Sequence, residues 1–213
     1  MDYKKEIISE IQKISGRYSV YEVFADWVKM TAIAISNTID INNYPSREKE
    51  YMELSRKYTL DELMQMSEMC SLLTRACEEK MEDVLGYIYI HLEISNARLG
   101  QFFTPYHVCQ LMAQTYKAPE DTLIRVSEPS CGAGGNIIAI AEKLKADGIN
   151  YQERLCVTCQ DLDWKAIYMC YVQLSLYGIP AVVVQGDTLR EPFNGKLTGN
   201  VYVTPMKVLQ LNR

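Results

Sequence analysis

Three acids each close a short β-rich run: Glu128 in "LIRVSE", Asp161 in "LCVTCQD" and Asp187 in "VVVQGD". Between the first two lie Gly132, Gly134 and Gly135, in "EPSCGAGGN". Glycines let a chain turn tightly and let a ligand approach the backbone. A helix starting after such a turn presents free N–H groups. Carboxylates only accept hydrogen bonds, and they attract cations. An acid just ahead of the glycines repels a pyrophosphate, and neither G-x-G-x-x-G nor G-x-x-x-x-G-K-[ST] is present. The chemistry that suits this set is capture of a ligand with positive charge and several hydrogen-bond donors.

The sulfonium and amino-acid ammonium of S-adenosylmethionine meet that demand. Asp161 at a strand end can accept from ribose hydroxyls, and Asp187 from an adenine amino group. A single acid at a strand end is as readily a helix N-cap. Three at successive strand ends are harder to explain that way.

The elements that must position these groups alternate. "TLIRVSE", "ERLCVTCQD" and "PAVVVQGD" read as strands, and "GNVYVT" as a fourth. "NIIAIAEKLKADG" and "DWKAIYMCYVQLSLYG" have apolar residues at helical spacing and end on glycine. Strand–helix–strand repetition predicts βαβ units and a parallel sheet with its ligand at the carboxyl ends of the strands. The first hundred residues read as helical. Ile7, Ile8, Ile11 and Ile14 share one face, "SVYE" and "TLDE" are capping boxes, and "NNYPSR" (Asn42 to Arg47) interrupts the pattern. "GYIYIHLEI" (Gly86 to Ile94) is read as helix. The change of rhythm near Ile94–Gly100 divides the chain into a helical section, 1–98, and an α/β section, 99–213.

The chain has 213 residues and a net charge of -5. That excludes a globally basic nucleic-acid binder. The stretch from Gly186 to Arg213 carries Arg190, Lys196, Lys207 and Arg213 against Asp187 and Glu191, a surplus of +2. That is too small for a phosphate track. Seven cysteines without a regular framework, a start without a signal-peptide core and no apolar run of roughly 20 residues predict a cytoplasmic protein with free thiols and no membrane segment. Cys156 and Cys159 form a CxxC, but a strand sends residues three apart to opposite faces. His91 and His107 show no ligand spacing, so no metal is expected.

Four ordered motifs carry a resemblance. "GQFFTP" ahead of the glycine loop, "EPSCGAGG", "CQDLDWKAIYMCYVQLSLYG" and "GDTL" resemble the N6-adenine DNA methyltransferases, above all the modification subunits of type I restriction systems. The resemblance implies a helical N-terminal region followed by the Rossmann-like parallel sheet of a class I methyltransferase, C-terminally truncated. It implies S-adenosylmethionine as cofactor, held by Gln101, Thr104, Pro105, Glu128, Pro129, Gly132, Gly134, Asp161, Leu162 and Asp187. Thr104 reads as a helix N-cap and Pro105 as the first helical residue. It further implies DNA as substrate and a protein partner supplying target recognition.

The family's catalytic motif, [DNS]-P-P-[FYW], follows its fourth strand and holds the amino group of a flipped adenine. Here "VTPMK" stands in that place, so Thr204 and Pro205 would be the catalytic residues of a degenerate motif. The second proline is missing, and Met206 replaces the aromatic. Two functions therefore fit: an S-adenosylmethionine-dependent N6-adenine DNA methyltransferase or its cofactor-binding part, and a catalytically impaired methyltransferase-like module acting with a partner. A methyltransferase for RNA or protein is a third.

Overall fold

A computed structural model of the chain describes residues 2–93, 103–119 and 122–211. Gln101 and the expected boundary at Ile94–Gly100 lie outside the described residues. The helical section holds α1 (Tyr3–Ile14), α2 (Val20–Asn37), α3 (Tyr44–Ser55), α4 (Leu60–Glu79) and α5 (Val84–Glu93). After it come α6 (Tyr106–Gln114), β1 (Ile124–Glu128), α7 (Gly135–Ala146), α8 (Tyr151–Arg154), β2 (Leu155–Asp161), α9 (Trp164–Leu176), β3 (Ala181–Gln185), β4 (Val201–Val203) and α10 (Pro205–Leu211). The fold is mixed α/β, helices first and a Rossmann-like sheet after. Among the described residues no helix is long and apolar enough to cross a membrane.

Local chemistry sets most helix ends. Ser19 and Thr59 both form complete capping boxes, with Glu22 and Glu62, at the starts of α2 and α4. Helix α3 begins inside the predicted interruption, with Pro45 in its first turn. Its one buried residue is Arg47, so it has no apolar stripe for periodicity to reveal. Thr104 does not cap α6 as predicted. That helix starts at Tyr106, Pro105 occupies the cap position without a side-chain bond, and Thr104 is exposed.

The sheet order is β1-β2-β3-β4. Strands β1, β2 and β3 are parallel, with Val126 opposite Val157 and Val157 opposite Ala181. The sheet is thus mostly parallel, as expected, but strand β4 runs antiparallel to β3, with Val203 opposite Val182 and Val201 opposite Val184. The physical reason lies in the connection. Residues 186–200 form turns and no helix, whereas a parallel return requires a crossover, usually through a helix. One side chain holds this connector down with two hydrogen bonds: Gln160 Nε2 donates to the Glu191 carbonyl, and its Oε1 accepts from Phe193 N–H.

Strand β4 ends the sheet on one side, the position where unpaired backbone invites aggregation. The helical section covers it. Arg47 of α3, 3% exposed, donates through Nη2 to the Val201 carbonyl at 2.8 Å. Its guanidinium carbon lies 3.9 Å from the Tyr202 ring centroid, and its Nη1 pairs with Asp40 at 2.7 Å and with Ser36. Ile7, Phe24, Trp27 and Leu85 from the helices and Ile124, Val157, Met169 and Val183 from the α/β section belong to one continuous apolar core.

Candidate functional site

Strands β1 and β2 run side by side and end together, with Glu128 opposite Cys159 and Asp161 two residues farther on. The chain leaving β1 makes the glycine turn, and α7 starts at Gly135. Gly132 has φ +51 and Gly134 φ +95, both in the region that disfavours side chains. A Cβ at Gly132 would stand 3.0 Å from the Phe103 ring, and one at Gly134 would stand 3.2 Å from Cys170 Sγ. Phe103, from "GQFFTP", packs edge-on against Tyr89. Two of the sequence motifs therefore meet over the same bare backbone.

Glu128 and Asp161 shape the turn. Glu128 Oε1 accepts from Ser130 N–H at 3.3 Å, and its Oε2 from Asn136 Nδ2 at 3.0 Å. Asp161 Oδ2 accepts from Gly132 N–H at 2.9 Å, and its Oδ1 from Asp163 N–H at 3.0 Å. Asp163, not Asp161, caps α9 through Lys165 N–H. A cavity of about 280 Å³ opens beside them. Its lining includes Asp83, Phe103, Thr104, Gly132, Asn136 and Asp161, and no lysine or arginine among the described residues. Asn136 Oδ1 is buried against it without a hydrogen-bond partner.

That lining discriminates between ligands. Carboxylates, backbone and an orphaned carbonyl oxygen form a set dominated by acceptors, and among the described residues no cationic side chain is there to receive phosphate. A ligand with an ammonium, a sulfonium and ribose hydroxyls fits it, and the uncommitted Asn136 oxygen is a place for one of its donors.

The other predicted residues are placed as follows. Thr104 lines the cavity, Pro105 sits one residue on at the start of α6, and Gly134 lies just behind the lining at the entry to α7. Pro129 is exposed, and its carbonyl accepts from Thr188 Oγ1 at 2.7 Å. Leu162 follows Asp161 with 66% of its surface free. Asp187 does not line the cavity. It caps its own turn, Oδ1 accepting from Leu189 and Arg190 N–H at 3.0 and 3.2 Å, with Arg190 Nε 3.6 Å from Oδ2. Asp187 caps a turn of its own connector, where no helix follows.

Thr204 and Pro205 are not brought to the cavity. Thr204 is fully buried, its N–H donates to the Ala181 carbonyl, and its Oγ1 accepts from Ala181 N–H and donates to the Ile179 carbonyl. Ala181 is the first residue of β3, whose last residue pairs with Asp161. At about 3.3 Å per residue, Thr204 sits roughly 13 Å from the ligand edge along the strand, at the wrong end of the sheet. Reversal of β4 is the cause. Thr204→Val should therefore lower thermal stability by about 1–3 kcal/mol, because Ala181 N–H and the Ile179 carbonyl lose their partner. It should leave ligand affinity unchanged in calorimetry; a weakened affinity would restore Thr204 to the site.

The CxxC separates as predicted, but Cys159 gains other company. Cys131, Cys159 and Cys170 place their sulfurs within 4.8 Å of one another, all buried. Hydrogen bonds from Cys131 and Cys170 favour ionisation of Cys159, and the other two thiols are pushed well above their usual range. Sequence spacing gives no hint of this triad, since its members come from the glycine turn, β2 and α9.

Against this geometry the comparisons are decisive. The N-6 DNA Methylase family model matches residues 80–206, more than half of the chain. The chain belongs to that family. The matched stretch includes α5, the glycine turn and all four strands. Among relatives, the type I restriction enzyme MjaIX methylase subunit of Methanocaldococcus jannaschii is 28% identical over 106 residues, 47% of this chain and 18% of the relative. The chain thus spans less than a fifth of that relative's length.

Two crystal structures are also similar. One, described as a class I S-adenosylmethionine-dependent methyltransferase from Listeria monocytogenes, has a TM-score of 0.49 at 10% identity, over 88% of this chain and 54% of that one. The other, the methyltransferase subunit of a type I restriction-modification system from Streptococcus thermophilus, has a TM-score of 0.47 at 12% identity, over 91% and 59%.

Proposed function

We propose that this chain binds S-adenosylmethionine beside the glycine turn and serves as the cofactor-holding part of an N6-adenine DNA methyltransferase. The observation that carries the reading is the acceptor-rich cavity with the unpartnered Asn136 oxygen and, among the described residues, no cationic lining. Asp161 would hold the ribose hydroxyls, the backbone of Gly132 and Ala133 would let the ligand lie close, and Thr104 would close the cavity from the α6 side. Glu128 acts one bond behind, orienting Asn136. When bound, the cofactor supplies a methyl group on a positively charged sulfur. The 99–213 section supplies the glycine turn and Asp161, and the 1–98 section braces them and lines the cavity with Asp83.

The placement of Thr204 favours a particular form of this reading. An adenine amino group needs acceptors aimed at it beside the methyl donor. The segment expected to provide them lies at the far end of the sheet. We therefore propose that the base-holding groups and DNA recognition come from a partner or from further chain, and that this section alone binds cofactor without turnover. Work inside the cell, in a type I-like assembly, fits that role.

Equilibrium titration with S-adenosylmethionine is the test. Asp161→Ala should weaken binding by about 1.5–3 kcal/mol, the typical loss for a charged acceptor, and Glu128→Ala should weaken it by less, because it only releases Asn136. Unchanged affinity in both variants would remove the assigned cavity. Methyl transfer to unmodified DNA by the isolated chain would overturn the need for a partner.

A further inference from the structure

Asp83 opens α5 and belongs to the helical section, yet it lines the same cavity as Gly132, Asn136 and Asp161. Only 7% of it is exposed. One of its oxygens is committed: Oδ1 accepts from Gly86 N–H at 2.9 Å and from Gln173 Nε2 at 2.8 Å. Gln173 is itself fully buried, and it fixes the carboxyl to the glycine turn. Its Nε2 also donates to the Ala133 carbonyl at 2.8 Å, and its Oε1 accepts from Leu85 N–H at 2.9 Å. The other oxygen, Oδ2, points toward the start of α7. A Cβ added at Gly135 would stand 3.1 Å from it. The bare glycine keeps that approach open.

Capping α5 accounts for Oδ1 alone. A serine or asparagine caps as well without a buried charge. Burial is the main influence on this carboxyl and pushes its proton affinity up, against the two hydrogen bonds that favour the charged form. Among the described residues no lysine or arginine lines the cavity to offset it. A buried acid that lines a cavity together with one buried acceptor that has no partner, Asn136 Oδ1, calls for a cationic group with several donors. Within S-adenosylmethionine that group is the amino-acid ammonium; the nucleoside end offers only hydroxyls and a neutral amine.

We infer that Asp83 is the acceptor for the ligand's ammonium, a binding residue that the helical section contributes to the cavity. The inference rests on the cofactor reading above, and three ligands separate the two. S-adenosylmethionine and S-adenosylhomocysteine both carry the amino-acid end, and 5′-methylthioadenosine lacks it. Asp83→Asn keeps the size of the side chain and a good cap. It should weaken the first two ligands by about 10- to 100-fold, the effect of losing a charge-assisted bond. It should leave 5′-methylthioadenosine unchanged in competition calorimetry.

Gly135→Ala offers an independent route. It leaves the carboxyl in place but sets a methyl against Oδ2, and the same selective pattern is expected. Equal weakening of all three ligands would mark Asp83 as purely structural and overturn the inference, as would unchanged affinity for all three. If the unmodified protein binds none of them, the cofactor reading itself fails and takes this inference with it. Thermal unfolding of both variants, with midpoints near that of the unmodified protein, checks that the cavity is intact.

Discussion

Gly134→Ala is expected to cost the protein both stability and its ligand. At φ +95 an L side chain is strained, by about 1–3 kcal/mol. The new methyl would also stand 3.2 Å from Cys170 Sγ and 3.6 Å from Cys170 Cα, inside the packed thiol triad. Overpacking of that kind adds about 1–3 kcal/mol. The sum of about 2–6 kcal/mol corresponds to a fall of roughly 5–20 °C in melting temperature for a chain of this size. Gly148→Ala isolates the backbone part: φ is +77 there, and nothing lies within 4 Å of the added carbon. Differential scanning calorimetry should find the second variant clearly milder, with S-adenosylmethionine affinity intact only there. Equal melting points for the two would mean that the turn is not packed as described.

Arg47→Ala should be nearly as severe, through a different route. It removes the donor to the Val201 carbonyl, the partner of Asp40 and Ser36, and the cation over Tyr202. Leaving buried polar groups unmatched costs about 2–5 kcal/mol in such settings. It also uncovers the edge of β4, so aggregation on warming is expected. The loss should depend on pH with a definite sign. Burial raises the affinity of Asp40 for its proton, but the Asn43 hydrogen bonds and Arg47 outweigh it, and the carboxyl is held below its ordinary value. A depressed acid stabilises the fold above its unfolded pKa and loses that contribution as pH falls through the folded one. The gap between the two proteins in denaturant melts should therefore narrow below about pH 4. A gap constant from pH 7 to pH 3 would show that the Asp40 pair contributes nothing.

Much of the cavity could be read from local chemistry. Glu128 and Asp161 stand at the ends of β1 and β2 because hydrophobic strands run straight into polar turns, and Gly132 and Gly134 have the positive φ that their residue type advertises. Two features were legible in principle but read otherwise. "LREPFNGKLTGN" offers no helical period between β3 and β4, and that is the signature of an antiparallel return. Asp187 precedes two backbone N–H groups that it can cap without any ligand. Asp83 belongs to a third kind. "EDVLG" shows an acid ahead of an apolar run, an ordinary cap signal. Only packing of α5 against α9 puts its second oxygen beside the glycine turn. The same holds for the Cys131–Cys159–Cys170 triad, whose members are contiguous in space and scattered in sequence.

The single apolar interior shared by Ile7, Phe24 and Leu85 with Ile124 and Val183 has a consequence for how relatives of this chain diversify. Shuffling the amino-terminal helices between homologues amounts to grafting half an interior onto another half. Each donor must match the recipient's buried contour, the arginine that braces the outer strand and the acid that lines the cavity at the glycine turn. Insertions and replacements should accordingly gather in the 186–200 connector and on the exposed faces of the helices, where inheritance can vary without reopening that shared interior.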